Sequence, residues 1–181
     1  MKSDGATGRL THAVYPGSFD PPTRGHLDVI RRAAAIFNTV TVAVVVNPQK
    51  REPLFTIAER KAMLEECVRD LGNVRVAEFH GLLADYIKTS GADVIVKGLR
   101  IVADFEAEFA TALMNRSLSG IDTTFLMSDA KYSFVSSSLV KEVFLLGGDV
   151  STYVPEAALH MMEERAPARS DQSVSPKHSH E

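Results

Sequence analysis

The sequence predicts an α/β protein, a doubly wound sheet of five parallel strands with helices on both faces. Three observations carry this expectation. Short, continuous, β-branched apolar runs recur along the chain, most plainly at Thr39–Val46, as expected of strands buried on both faces. Amphipathic stretches at helical spacing separate these runs and have one face to bury. The two kinds of segment alternate, which requires crossover connections and therefore parallel strands joined with a right-handed sense.

Each element can be justified in order. Ala13–Tyr15 is the first apolar run, and Gly25–Phe37 follows with Leu27, Ile30, Ala34 and Phe37 on one helical face. After the strand Thr39–Val46, a helix over Thr56–Leu71 opens with Thr56-Ile57-Ala58-Glu59. This is a capping box, in which the Thr hydroxyl and the Glu carboxylate each accept a backbone N–H that the helix leaves unpaired. Its apolar stripe is Ile57, Leu64, Cys67, Val68 and Leu71. Val74–Phe79, Asp93–Lys97 and Thr123–Met127 repeat the buried-strand character. Leu82–Thr89 is a short helix ending near Gly91, and Asp104–Ser119 stops at Gly120, the residue type that best adopts the left-handed turn after a helix. Ser138–Leu146 stops at Gly147-Gly148, and Pro155–Arg165 starts with a proline suited to a first helical turn. The pattern is Rossmann-like. In such sheets ligands bind beyond the carboxyl ends of the strands, where the strand order reverses.

With 181 residues, the chain is expected to form one working domain over residues 11–165. Residues 1–10 read as a flexible lead. Residues 166–181, APARSDQSVSPKHSHE, bring too little apolar surface to offset their ordering entropy and read as disordered. A formal charge of −3 argues against nucleic acid or membrane as a partner held by bulk charge. It does not argue against a small anion, which needs only a few local cations. A single cysteine, Cys67, excludes an internal disulfide or a multi-cysteine zinc site. With no apolar secretory segment visible at the start, the chain is expected in the cytoplasm.

The segments after the strands should hold the chemistry. The first is Tyr15-Pro16-Gly17-Ser18-Phe19-Asp20-Pro21-Pro22-Thr23-Arg24-Gly25-His26. Gly17 permits close backbone approach, Ser18 and Phe19 offer N–H groups, and His26 falls in the first turn of a helix, where an anion is favoured. Lys50 and Arg51 follow the second strand. Lys97-Gly98-Leu99-Arg100 ends the fourth, with Lys97 closing a buried apolar strand and Arg100 able to fork two phosphate oxygens. After the fifth come Tyr132, Ser133, Phe134, Val135, Ser136, Ser137 and Ser138, and one serine would suffice as the helix cap. Four strand ends thus point phosphate-type donors at one cleft. Neither a G-x-x-x-x-G-K-[ST] loop nor a G-x-G-x-x-G turn is present, which excludes a P-loop NTPase and a standard dinucleotide dehydrogenase.

Thr23-Arg24-Gly25-His26 within its Gly-Ser-Phe-Asp-Pro context resembles the T-x-G-H motif of the nucleotidyltransferase superfamily. Lys97-Gly98-Leu99-Arg100, Asp104-Phe105-Glu106-Ala107-Glu108, Met114-Asn115-Arg116 and the run Tyr132–Val143 resemble the phosphopantetheine adenylyltransferase family, over about His12 to Glu164. The resemblance implies reversible, Mg²⁺-dependent transfer of AMP from ATP to 4′-phosphopantetheine, giving dephospho-CoA and pyrophosphate in the penultimate step of coenzyme A synthesis. It implies ATP contacts at Ser18, Phe19, His26, Gly98, Leu99, Arg100, Glu108 and Tyr132, Ser133, Phe134, Val135, Ser136, Ser137, Ser138. Substrate contacts fall at Ser18, Lys50, Leu83 and Lys97, and the catalytic set is His26, Lys50 and Arg100. A homohexamer and feedback inhibition by coenzyme A are implied as well.

Two departures accompany the match. Lys97 stands where many relatives carry Arg, keeping the charge but not the fork. The stretch Lys50-Arg51-Glu52-Pro53-Leu54-Phe55 is one residue longer than in some relatives, so either Lys50 or Arg51 takes the loop role. The rival readings are another T-x-G-H transferase, acting on nicotinamide mononucleotide or as a cytidylyltransferase, and a non-catalytic nucleotide sensor. The serine run and Lys97–Arg100 speak against the other transferases, and a sensor would not need His26 in the first turn. A protein-built metal site is not expected, since the phosphates themselves would hold Mg²⁺.

Overall fold

The structure, a computed structural model, describes residues 11–45 and 53–165. Expectations placed on residues 1–10, on Val46, Lys50 and Arg51, and on residues 166–181 lie outside the described residues. The strands are β1 (His12–Gly17), β2 (Thr39–Val45), β3 (Val74–Phe79), β4 (Val94–Leu99) and β5 (Thr123–Met127). The helices are α1 (Arg24–Ile36), α2 (Ile57–Cys67), α3 (Leu83–Ser90), α4 (Val102–Ser119), α5 (Ser137–Leu145) and α6 (Glu156–Glu164), with a 3₁₀ turn at Ala130–Tyr132.

All four strand pairings are parallel, in the order β3-β2-β1-β4-β5. The chain moves outward from β1 through β2 to β3, then returns to the other side of β1 with β4. The reversal therefore lies between β1 and β4, and a crevice opens beyond their carboxyl ends. Period-two alternation divides the core between two layers. Ala13, Tyr15, Val40, Val42, Val44, Val94 and Val96 pack with Leu27, Ile30 and Leu64 of α1 and α2. Val14, Ala43 and Ile95 face the other way, onto Phe79 and Ile87. A third cluster, built on Phe55, Met63, Val135, Val140, Val154 and Met162, joins α2, α5 and α6 beside the crevice.

The helix ends follow the local chemistry. Thr23 and Thr56 both close capping boxes, with His26 and Glu59 as the reciprocal partners. Gly91 and Gly120 take left-handed conformations after α3 and α4. Ser136 caps α5, its hydroxyl accepting the Leu139 N–H at 3.1 Å. Three details depart from expectation. β3 and β5 are edge strands and mostly half-exposed rather than buried. The second helix ends at Cys67 instead of Leu71, although Val68 and Leu71 still pack on the core. Pro155 occupies the cap of α6 rather than its first turn, which its fixed φ and missing N–H also suit.

Candidate active site

The crevice between the ends of β1 and β4 is a cavity of about 710 Å³, within the usual range for small-molecule sites. Its first wall is the turn after β1. A Cβ on Gly17 would lie 2.7 Å from the Phe19 ring, so only glycine lets that ring fold back beneath the strand end. Phe19 sits at φ 45° and is 1% exposed. The left-handed region costs a bulky residue on the order of 1–3 kcal/mol. The ring therefore belongs to the floor of the cavity, with centroids 5.5 Å from Tyr15 and 5.1 Å from His26, both edge to face.

His26 is held on one side by its own helix start. Its Nδ1 accepts the Thr23 backbone N–H at 3.0 Å, while its backbone N–H donates to Thr23 Oγ1 at 3.3 Å. An accepting Nδ1 places the proton of the neutral ring on Nε2, so the imidazole is a directed N–H donor. Gly25 permits the close packing that holds this turn: a Cβ there would lie 3.3 Å from the Cβ of Tyr132.

The opposite wall is the end of β4 with α4. A Cβ on Gly98 would meet Val29 at 2.9 Å and the Tyr15 hydroxyl at 3.2 Å, so the strand ends lie flush against α1. Burial pushes the Tyr15 hydroxyl above the usual phenol range, and it serves as packing rather than as an acid. Lys97 pairs with Glu108 at 3.1 Å. Arg100 grips Asp104 with two bonds, Nε to Oδ2 at 3.0 Å and NH2 to Oδ1 at 2.9 Å, and donates from NH1 to the Val135 carbonyl at 3.2 Å. Partial burial works to raise the Asp104 pKa, but the bonds from Arg100 outweigh it and hold the carboxyl below its ordinary range. Two cations and two carboxylates thus balance this corner. The third wall is the start of α5, where Ser136, Ser137 and Ser138 line the cavity and the Ser137 hydroxyl donates to the Pro21 carbonyl at 2.8 Å.

Known proteins of similar sequence and fold place the chain in a family. A family profile described as cytidylyltransferase-like matches residues 14–143. A phosphopantetheine adenylyltransferase of Heliobacterium modesticaldum is 54% identical over 157 residues, 86% of this chain and 93% of the relative. The chain belongs to the phosphopantetheine adenylyltransferase family. A second member, from Alkaliphilus metalliredigens, is 51% identical over 154 residues, 84% of this chain and 98% of its own. The crystal structure of a Vibrio parahaemolyticus protein assigned as a nicotinate-nucleotide adenylyltransferase superposes with a TM-score of 0.57 at 18% identity, covering 84% of this chain and 98% of that one. At that identity the likeness concerns the fold.

In this family member the structure brings most of the sequence-predicted residues to one cavity. Ser18, Phe19, His26, Leu83, Lys97, Gly98, Arg100, Glu108, Val135, Ser136, Ser137 and Ser138 all line it. Leu99, Tyr132, Ser133 and Phe134 do not. Leu99 is buried in the sheet, and Phe134 is exposed and rests edge-on against Tyr153. Lys50 lies outside the described residues. Sequence reasoning missed the polar stripe that α4 presents to the cavity, Asp104, Thr111 and Asn115 beside Glu108. The signal was available: these four positions fall on one face of a helix at steps of three and four. Asn115 is buried as well.

Proposed function

We propose that this chain transfers AMP from ATP to 4′-phosphopantetheine, giving dephospho-CoA and pyrophosphate. The observation that carries the reading is the convergence of His26, Lys97, Arg100 and the serine run on one crevice, in a chain 54% identical to a relative named for this activity.

A 4′-phosphate oxygen attacks the α-phosphorus in line, the bond to the bridging oxygen of the β-phosphate breaks, and pyrophosphate leaves with that electron pair. The substrate supplies the nucleophile, so the protein contributes positioning and charge stabilisation. His26 donates from Nε2 to the oxygen on which charge builds. Arg100, together with Lys50 or Arg51, neutralises the leaving phosphates, and Arg100 must exchange its grip on Asp104 to do so. Ser18, Leu83 and Lys97 receive the phosphopantetheine arm. Glu108, Gly98 and the serine run hold the nucleotide, Phe19 by its backbone alone. Tyr132, Ser133, Phe134 and Leu99 support the nucleotide side from behind the wall.

Mg²⁺ is the expected cofactor. Among the described residues no group of three His, Cys, Asp or Glu side chains is placed to hold a metal ion. Asp104 and Glu108, the carboxylates in the cavity, are each paired to a cation. This donor set fits an ion carried chiefly by phosphate oxygens. When bound, the ion supplies charge neutralisation of the polyphosphate.

The chain assembles as a homohexamer in this reading. Support comes from α4, whose Phe105, Phe109, Leu113, Met114 and Leu118 are exposed although large and apolar. Feedback by coenzyme A and a cytoplasmic location belong to the same reading. No helix among the described residues is long and apolar enough to cross a membrane. The test is pyrophosphate release from ATP with 4′-phosphopantetheine, nicotinamide mononucleotide or glycerol 3-phosphate as acceptor. Turnover is expected with the first alone. Turnover with another acceptor in its place would transfer the chain to a different reaction, and none at all would leave a nucleotide-binding protein.

A further inference from the structure

The left-handed backbone of Phe19 requires neighbours that hold it, and the structure provides them on both sides. On its amino side the Ser18 carbonyl, which shares a peptide plane with the Phe19 nitrogen, accepts a hydrogen bond from Arg60 NH1 at 3.0 Å. On its carboxyl side the Asp20 carboxylate accepts the backbone N–H groups of Leu54 at 3.1 Å and Phe55 at 3.0 Å, and pairs with Lys141 at 2.7 Å. Arg60 closes the ring: its Nε donates to the Phe55 carbonyl at 2.7 Å and lies 3.7 Å from Asp20 Oδ1.

We propose that Arg60 and Asp20 are positioning residues, a buried clamp that holds Phe19 in its left-handed conformation and through its ring sets the orientation of His26. The role assigned to His26 rests on the proposed function. The clamp itself rests on the geometry.

Arg60 is 3% exposed and Asp20 5%. A buried ion pair is a poor device for stability alone, because well-packed apolar side chains of similar volume often do as well or better. It is a good device for direction. A guanidinium fixes several acceptors in one plane, here carbonyls of residues 18 and 55, which stand far apart in sequence. The Phe19 ring has little freedom left once its backbone is fixed, being pressed against Gly17 on one side and against His26 on the other.

A purely structural tie is the competing account, and the molecule contains a comparison for it. Arg165 grips the same post from outside, donating to the Leu54 carbonyl, pairing with Glu59 and lying 4.8 Å over the Phe55 ring. Its described contacts involve none of residues 18–20.

The test uses the full chain and compares Arg60→Met, Arg60→Lys and Arg165→Ala. Pyrophosphate release and thermal midpoints are measured together with the His26 ring signals in long-range ¹H–¹⁵N spectra of ligand-free protein. Arg60→Met is expected to lower kcat by about tenfold or more, as a small misplacement of a catalytic group does, and to shift the His26 signals. Arg60→Lys, which keeps the charge without the fork, should fall between. Arg165→Ala should lower the thermal midpoint and leave kcat and the His26 signals in place. Unchanged kcat and His26 signals in Arg60→Met would overturn the clamp, as would an equal loss of kcat in Arg165→Ala. If Arg60→Met does not fold, Lys141→Met, which removes only one partner of Asp20, should shift the His26 signals in the same direction, and an unmoved spectrum overturns the proposal. If the wild-type chain releases no pyrophosphate, the proposed function fails, while the His26 spectra still decide the clamp.

Discussion

The ammonium of Lys97 lies 3.1 Å from Glu108 Oε2, inside the cavity that both side chains line. In the proposed reading, an incoming phosphate competes with this resident carboxylate for the cation. Glu108→Gln removes the competitor and, in the proposed reading, also a nucleotide contact. The Michaelis constant for 4′-phosphopantetheine should fall or hold while that for ATP rises. Steady-state kinetics with each substrate varied in turn checks this, and a joint rise in both constants would contradict it.

His26 donates from a ring whose tautomer is set by the Thr23 N–H. In the proposed reading, His26→Ala takes one directed donor from the charge developing at the transition state. The expected cost is about 2.7–4 kcal/mol, or roughly 10²–10³ in kcat. ATP affinity, measured by calorimetry without the second substrate, should change far less. Near-normal turnover would remove His26 from the mechanism.

Acid should weaken the fold through Asp93 and Asp104. Asp93 accepts bonds from the Thr11 hydroxyl and the Thr11 and His12 N–H groups, and these hold its carboxyl below the ordinary value of 3.8. Asp104 is held low by Arg100 against the opposing effect of its burial. A carboxyl with a lowered folded-state pKa contributes stability that is complete above its ordinary value and lost as pH falls through the folded one. The thermal midpoint should thus begin to decline below about pH 4, and Asp104→Asn should flatten the decline.

Cys67 should be a slow thiol. Burial, with a smaller push from the charge of Glu66, raises its pKa to about 11. At pH 8 about one molecule in a thousand then carries the reactive thiolate. Labelling with iodoacetamide, followed by mass spectrometry, should be slow in the native protein and fast in urea.

Removal of residues 166–181 should leave pyrophosphate release unchanged, since their composition offers neither a core nor a phosphate site. A collapse of activity in the truncated chain would give the tail a role.

Much of the fold was legible because its signals were local. The capping box at Thr56 and the glycines after α3 and α4 are short-range chemistry, and they fall where expected; the second box, which pairs Thr23 with His26, came from the structure. What a strand faces depends on its neighbours, and so β3 and β5, read as buried strands, turned out to be edges, although Arg75 and Glu78 within β3 already carried a signal of exposure. The site divides in the same way. Loop residues at the ends of β1 and β4 could be placed in the cleft from topology alone. The run after β5 could not be resolved residue by residue, because the 3₁₀ turn at Ala130–Tyr132 turns Phe134 outward while Ser136–Ser138 turn in. The bracket of Arg60 around residue 18 joins positions 42 apart, a relationship that no periodicity records.

α4 carries Asp104, Glu108, Thr111 and Asn115 on the flank facing the cavity and the partly exposed Phe105, Phe109 and Leu113 on another. A helix moves as a rod, so these two stripes are mechanically one part. A substitution that reseats this helix on the sheet therefore reaches the counter-ions of Lys97 and Arg100 and the outer apolar stripe together.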